Sequence, residues 1–253
     1  MNLSEKNNPR TRKHPERILQ FGTGVLLRGL CDFYIDKANK SGHFDGSIVV
    51  VKSMAGEVDL FENQDNLYTV CVRGIENGKN VVENVICESI SRVLIANNHW
   101  DEILKTAENK EIDIILSNTT EVGLQYVYEK SGIPTSFPGK LTSWLFRRFS
   151  SNLAGVVIIP TELVVDNGTI LKNLVLKHAY NQTLGAEFTS WLESENHFCN
   201  SLVDRIVPGK PGKEELEELY LDLGYQDELI VKAEVYSLWA IEGGENVKSR
   251  LAF

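Results

Sequence analysis

The 253-residue chain lacks three features that mark large classes of protein: surplus positive charge, long apolar runs and an apolar leader. Its 26 basic residues face 35 acidic ones, a net charge of -9, whereas nucleic-acid binding calls for a basic surplus. It has no apolar run of the ~18 residues that a membrane span needs. Its polar amino terminus has no stretch typical of a signal peptide. We therefore expect a cytoplasmic protein that binds neither nucleic acid nor membrane.

Cysteine and histidine are also scarce. The four cysteines, at positions 31, 71, 87 and 199, form no C-x-x-C pair, which favours reduced core thiols over disulfides or metal ligands. No two of the five histidines have a metal-ligand spacing on one helix, so we expect no metal site.

The first segment with a clear pattern is a β-α-β unit. Residues 17–21 predict a short strand that runs directly into Gly22-Thr23-Gly24. Apolar residues then recur at helical spacing over residues 25–38, and Gly42 suits the end of that helix. In residues 47–51, Ser47 is followed by a continuous run of β-branched apolar residues, typical of a strand buried on both faces of a parallel sheet.

Alternation of strands and helices continues along the chain, and it predicts an α/β fold with a doubly wound, Rossmann-type parallel sheet. Further strands are predicted over residues 112–117 and 155–159, and helices over residues 100–109, 140–149, 169–180 and 186–195. Strand-like runs on both sides of Asn77-Gly78 predict an antiparallel hairpin insertion near residues 68–88. We expect a disordered lead-in over residues 1–15, a dinucleotide-binding domain over 16–208 and a C-terminal extension over 209–253, with a helix at 213–223 and a strand at 229–239.

The glycine turn is the first candidate site. Gly22, Thr23 and Gly24 lie between the first strand and the first helix, where glycines permit a tight turn and let a pyrophosphate approach the positive helix end. Leu27 stands where the full G-x-G-x-x-G pattern has its third glycine. The alternative is an ordinary strand–helix turn. Arg28, one helical turn later, either reaches a phosphate or is a solvated helix residue.

Polar residues follow two other predicted strands. Lys52 ends the second strand, where an acidic residue usually binds the adenine ribose. Because a lysine would tolerate a 2′-phosphate there, NAD and NADP both stay open as cofactors. The alternative is that Lys52 faces solvent. Asn118, Thr119, Thr120 and Glu121 follow the strand ending at Ser117, at the edge of an open sheet that borders the ligand crevice. The alternative there is that a threonine caps the next helix.

Three segments resemble the mannitol dehydrogenase family, the polyol-specific long-chain dehydrogenases and reductases. They are QFGTGVLLR at 20–28, SNTTEVG at 117–123 and FCNSLVDRIVP at 198–208. Within the family, SNTTE, FPGKLT at 137–142 and PTEL at 160–163 are similar to the tagaturonate reductase (altronate oxidoreductase) branch. The resemblance extends from about Arg17 to the end of the sequence.

This resemblance implies roles for individual residues. Gly22, Thr23, Gly24 and Arg28 would lie at the cofactor pyrophosphate, and Asn118, Thr119 and Glu121 near the nicotinamide; Asn200, Asp204 and Arg205 would border the active-site cleft. Leu163 stands where mannitol dehydrogenases supply an asparagine to the substrate oxyanion, which leaves Glu162 as a candidate polyol contact. Lys140 is a candidate partner for a substrate carboxylate, since a hexuronate needs a cation, or else a solvated first-turn lysine. Asp204 and Arg205 are alternatively a structural ion pair.

The resemblance implies an NAD(P)-dependent oxidoreductase that transfers hydride between nicotinamide and a keto-hexuronate such as tagaturonate. The alternatives are a mannitol- or fructuronate-type reductase and a non-catalytic dinucleotide-binding module. The family's catalytic Lys-x-x-x-x-Asn-x-x-His motif, from a helical C-terminal domain, does not occur in this sequence. We therefore expect the nucleotide-binding part of such an enzyme, with little or no turnover alone. Apolar surface over residues 229–253 would then be mobile or promote self-association.

Overall fold

A six-stranded parallel sheet forms the centre of the protein. The computed structural model describes residues 1–52, 59–119, 123–128 and 132–253. The sheet has the order β5-β2-β1-β6-β7-β8 and parallel pairing throughout, which is the order 3-2-1-4-5-6 of the Rossmann fold. The prediction of a doubly wound parallel sheet is confirmed. Its strands are β1 (Glu16–Phe21), β2 (Ser47–Lys52), β5 (Ile90–Ile95), β6 (Ile114–Ser117), β7 (Val157–Pro160) and β8 (His197–Phe198).

Helices cover both faces of this sheet, and for that reason the central strands carry apolar residues on both faces. Alternate residues of β1 enter different clusters: Ile18 packs into one, whereas Leu19 and Phe21 pack into the other. The helices are α1 (Val25–Gly29), α2 (Cys31–Lys40), α3 (Asp59–Glu62), α4 (Trp100–Thr106), α5 (Phe137–Ser150), α6 (Asn167–Asn181), α7 (Ala186–Glu195), α8 (Lys213–Leu223) and α9 (Glu245–Lys248).

The predicted hairpin is present as β3 (Tyr68–Glu76) and β4 (Lys79–Cys87). Asn77 and Gly78 form its turn with φ of 51° and 75°, the left-handed pair that a type I′ hairpin turn needs. The hairpin belongs to a separate three-stranded sheet of order β10-β3-β4, in which β10 (Val231–Glu234) runs parallel to β3.

The C-terminal segment is therefore part of the fold. Helix α8 has the predicted bounds, whereas the single strand predicted over residues 229–239 is two strands: β10, and β11 (Leu238–Ile241), which pairs antiparallel with β9 (Ser201–Asp204). Ile230 and Val231 are buried in the core. Self-association of this segment stays a prediction.

The amino-terminal residues, expected to be a disordered lead-in, instead pack against the domain. Leu3 is fully buried, and its backbone N–H donates to the carbonyl of Gln226 at 2.8 Å. Arg10 donates to the backbone carbonyls of Asp65 and Glu88. Burial of Leu3 and the two hydrogen bonds from Arg10 thus hold this segment against the domain, although its polar composition predicts disorder.

All four cysteines are free and buried. Within the described residues, no three His, Cys, Asp or Glu side chains come together as metal ligands. No helix in that part of the chain is long and apolar enough to cross a membrane.

Candidate functional site: the crevice at the carboxyl ends of the strands

The glycine turn lies where strands β1, β2 and β6 end together. The Gly22 N–H donates to the Val51 carbonyl at 3.0 Å, and the Asn118 N–H donates to the Phe21 carbonyl at 3.1 Å. Gly22 has φ of +129°, and a Cβ there would lie 2.9 Å from the backbone oxygen of Asn118. Only glycine has this backbone freedom and allows this close approach.

Gly24 lies at the N-cap of α1, with φ of -63° and ψ of 156°. Gly24 is exposed and, as a glycine, has no side chain to cap the first-turn N–H groups, and helix starts of this kind are the ones that bind anions. Among the described residues, the atom nearest to an added Cβ is Asn118 Oδ1, at 4.0 Å. The turn thus has a tightly packed base at Gly22 and an open rim at Gly24, with Thr23 half-buried between them.

Arg28 points away from this rim. Its guanidinium donates to the carbonyl of Leu229 and lies over the rings of Tyr68, at 5.6 Å, and Phe61, at 5.9 Å. Burial lowers the pKa of Arg28. The structure therefore directs Arg28 toward the segment before β10, and its contact with a pyrophosphate stays a prediction.

The ends of β6 and β7 are joined by buried polar side chains. The Asn118 amide donates to the Thr161 carbonyl at 2.9 Å. Glu162, only 3% exposed, accepts from the Thr119 N–H at 2.8 Å, the Thr119 hydroxyl at 3.0 Å and the Ser117 hydroxyl at 3.2 Å. These bonds hold Asn118 and Thr119 at the crevice, as the strand pattern predicts.

Burial raises the pKa of Glu162, and the bonds from Thr119 and Ser117 act in the opposite direction. The carboxyl group therefore ties two strand ends together, and its contact with a polyol stays a prediction. Glu121, assigned by resemblance to the nicotinamide end, lies outside the described residues. Lys52 is half-buried at the end of β2, and its proposed contact with the ribose is likewise a prediction.

A cleft of about 550 Å³ opens beside Glu162. Its wall is apolar and includes the exposed side chains of Leu163, Val165 and Leu202. Asn200 lines it too: its Oδ1 accepts from the Thr169 N–H at 3.0 Å at the start of α6, and its amide donates to Glu242 at 2.9 Å. Among the described residues, the cleft is lined by residues 162–166, 200–203 and 240–242.

The structure does not bring Asp204 and Arg205 into this cleft. Asp204 is exposed at the end of β9. Arg205 is buried, donates to the carbonyls of Glu234 and Gly29, and lies 4.7 Å from the ring of Phe33. Arg205 thus fastens α1 to the second sheet instead of pairing with Asp204.

Lys140 lies in the first turn of α5, which begins at Phe137, three residues before the predicted start at residue 140. Ser136 caps this helix by accepting from the Gly139 N–H at 3.1 Å. Lys140 is 2% exposed, and its ammonium donates to the Thr135 carbonyl at 2.7 Å. It is a buried cation and not a solvated surface lysine; its pairing with a substrate carboxylate stays a prediction.

Asn167 is a positioning residue that sequence reasoning missed. It is fully buried; its amide donates to the carbonyls of Glu162 and Ser201, and its Oδ1 accepts from the N–H groups of Gly168 and Ser201. The only signal in the sequence is the turn Asp166-Asn167-Gly168, where asparagine is an ordinary choice. Asn167 joins the two main walls of the cleft.

These features define a class of protein, the Rossmann domains, in which a dinucleotide site lies where the strand order reverses, here between β1 and β6. The residues present fit such a ligand, because the turn excludes a Cβ at Gly22 and Gly24 is an exposed helix N-cap without a side-chain cap.

The chain belongs to the mannitol dehydrogenase family: residues 16–253 match the family model described as the mannitol dehydrogenase Rossmann domain. Two curated relatives, both named altronate oxidoreductase, are 44% identical over 248 residues (Halalkalibacterium halodurans) and 41% identical over 250 residues (Bacillus subtilis). They cover 94% and 95% of this chain, which spans 48% and 52% of their lengths. The chain thus spans about half the length of these relatives.

Among solved structures, the fold is similar to Pseudomonas fluorescens mannitol 2-dehydrogenase, in a ternary complex with NAD and D-mannitol. The TM-score is 0.82 at 21% identity, over 96% of this chain and 55% of that one. A D-sorbitol dehydrogenase in substrate-free form gives 0.79, also at 21% identity. These likenesses establish the shared fold.

Proposed function

We propose that this chain is the dinucleotide-binding part of an NAD(P)-dependent oxidoreductase that interconverts a keto-hexuronate, such as tagaturonate, and the corresponding aldonate. The observation that carries the proposal is the 44% identity, over 94% of the chain, to a relative named altronate oxidoreductase. The crevice geometry supports it, because the helix start at Gly24 is exposed, has no side-chain cap and so suits a diphosphate.

A bound nicotinamide dinucleotide would supply or accept the hydride. The chain's own residues hold and orient that group. The turn at residues 22–24 receives the diphosphate, and Asn118 and Thr119 line the far side of the crevice, fixed in place by Thr161 and Glu162. NAD is the preferred cofactor in this proposal, and Lys52 at the end of β2 leaves NADP open.

The sugar acid would lie in the cleft beside Glu162 and Asn200. Its apolar wall excludes water from the reacting carbonyl once that wall is covered. Lys140 is the candidate partner for the substrate carboxylate, because the start of α5 adds the positive end of a helix dipole to its charge. Glu162 orients the end of β6 rather than transferring a proton.

The experiment has two arms. Calorimetric titration of this chain with NADH and with NADPH tests cofactor binding directly. A chimera joining this chain to the C-terminal half of the Bacillus subtilis relative tests chemistry, with tagaturonate, fructuronate and fructose as substrates and NADH absorbance as the readout. We expect the chain alone to bind NADH but turn over little, and the chimera to prefer tagaturonate. Equal activity with and without the added half, or a preference for fructose, would overturn the proposal.

A further inference from the structure

A buried polar pair lies directly beneath the glycine turn. Gln20, in β1, donates from Nε2 both to the Gly22 carbonyl and to Asp32 Oδ2 in α2, each at 3.3 Å. Both side chains are fully buried. The Asp32 carboxyl group is therefore two hydrogen bonds away from the backbone of the turn.

This pair has more acceptors than donors. Gln20 Oε1 and Asp32 Oδ1 are both buried and have no hydrogen-bond partner within the part of the chain that the structure describes. A buried acceptor without a donor costs about 1–3 kcal/mol. A proton on Asp32 would add one donor to a group that has too few.

Asp32 is fully buried, and Arg28 is the cation that acts on it among the residues that the structure describes. Burial raises the pKa of Asp32 to about 7, while the bond from Gln20 and the charge of Arg28 act in the opposite direction. Arg28 bonds to Leu229 and leaves its Nε without a partner among the described residues. The other titratable groups that interact with Asp32 are Cys31 in α2, Tyr68 in β3 and Cys87 in β4, and Asp36, which is paired with Lys40, lies one helical turn further along α2.

We propose that Gln20 and Asp32 form a proton-linked brace, in which dinucleotide binding at the glycine turn is coupled to proton uptake by Asp32. The inference rests on the proposed dinucleotide site. A diphosphate at Gly24 adds negative charge to the turn that Gln20 joins to the Asp32 carboxylate, while Arg28, the cation of α1, donates to the Leu229 carbonyl. Protonation of Asp32 removes the like charge and supplies the missing donor.

The sign follows from linkage. An anion that binds nearby raises the pKa of Asp32, so the complex holds more protons than the free protein near neutral pH. If binding raises that pKa by about one unit, the affinity for NADH falls roughly fivefold from about pH 6 to about pH 8.

Calorimetric titration with NADH near pH 7, in buffers of different ionisation enthalpy, measures the protons taken up. We expect the parent to take up a fraction of a proton and to bind more weakly as the pH rises. Asp32→Asn imitates the neutral acid and offers an amide donor, so it should take up none of that fraction and bind with a flat pH profile. A variant that merely damaged the fold would weaken binding at every pH without abolishing proton uptake.

Gln20→Met is a second variant, of similar volume, that removes the connection between Asp32 and Gly22. We expect it to reduce proton uptake while Asp32 is retained. Lys37→Met, on the solvent side of α2, is the matched control and should behave like the parent. If the parent binds NADH without taking up protons, or if Asp32→Asn takes up as many, the brace is overturned while the dinucleotide site stands. If the parent binds no NADH at any pH, both proposals fail.

Discussion

The substitution Gly24→Asp tests whether the glycine turn binds the dinucleotide, because we expect it to change ligand affinity without destabilising the fold. The backbone of Gly24 already has N-cap geometry, and among the described residues an added Cβ meets nothing closer than Asn118 Oδ1 at 4.0 Å. Aspartate is preferred over glycine at an N-cap by a few tenths of a kcal/mol. We therefore expect the variant to be as stable as the parent, or slightly more stable, in a urea unfolding titration.

Its affinity for NADH should fall nonetheless. A carboxylate about 4–5 Å from a phosphate is opposed by about 4 kcal/mol at an effective dielectric constant of about 20. Because Gly24 is exposed, solvent screening about halves that value, which leaves about 2 kcal/mol or roughly a thirtyfold loss of affinity. Gly24→Asn has the same capping ability without the charge and should lose much less.

Gly212 supplies the matched control. It is the N-cap of α8, with φ of -61° and ψ of 161°, and no described atom lies within 4 Å of an added Cβ. Gly212→Asp should leave NADH affinity unchanged in the same calorimetric titration. A folded Gly24→Asp protein that binds NADH as tightly as Gly212→Asp would refute the assignment of the turn.

Other substitutions test further parts of the structure. Gly22→Ala, with φ of +129° and a Cβ at 2.9 Å from Asn118 O, should lower the free energy of unfolding by about 1–3 kcal/mol in urea, and an unchanged value would mean that the turn relaxes freely. Lys52→Asp should shift the ratio of NADH to NADPH affinity toward NADH, and an unchanged ratio would mean that Lys52 faces water. In the chimera, Lys140→Ala should weaken tagaturonate use more than fructose use by about 1.5–3 kcal/mol, whereas equal losses would assign Lys140 to the fold. Because burial raises the pKa of Asp32 from 3.8 to about 7 in the folded protein, Asp32 stabilises the fold at low pH, and this contribution is lost as the pH rises from about 4 to about 7. Asp32→Asn should therefore flatten the dependence of the unfolding free energy on pH in that range. The same pH dependence in parent and variant would contradict the raised pKa.

The parallel sheet could be predicted because its signals are local. Residues 17–21 and 47–51 are short, mostly apolar runs on either side of a helical pattern, and both are strands close to those bounds. Strand β5 was missing from the prediction because Ser91 and Arg92 interrupt its apolar run; Arg92 makes ion pairs with Glu16 and Glu102 at the edge of the sheet. The pairing of β10 with β3 joins residues about 160 positions apart, and no periodicity within either segment specifies a partner that distant.

The candidate site was predictable where it depends on the ends of strands. Gly22 and Asn118 follow neighbouring parallel strands, so their proximity follows from topology. The arginines were not predictable in the same way. Both Arg28 and Arg205 turn inward and donate to backbone carbonyls. These carbonyls come close to the arginines only once the secondary-structure elements are packed, so no local sequence pattern identifies them.

The bonds of Arg28 and Arg205 also bear on the order in which the protein forms during synthesis. Arg28 bonds to Leu229, Arg205 bonds to Gly29, and Gly29 lies so close to Val207 that an added Cβ would be 2.8 Å from it. Arg28 therefore leaves the ribosome about 200 residues before its partner Leu229. Until about residue 231 has emerged, the first helix and the glycine turn before it lack these contacts, and contacts of such long sequence separation delay completion of the fold.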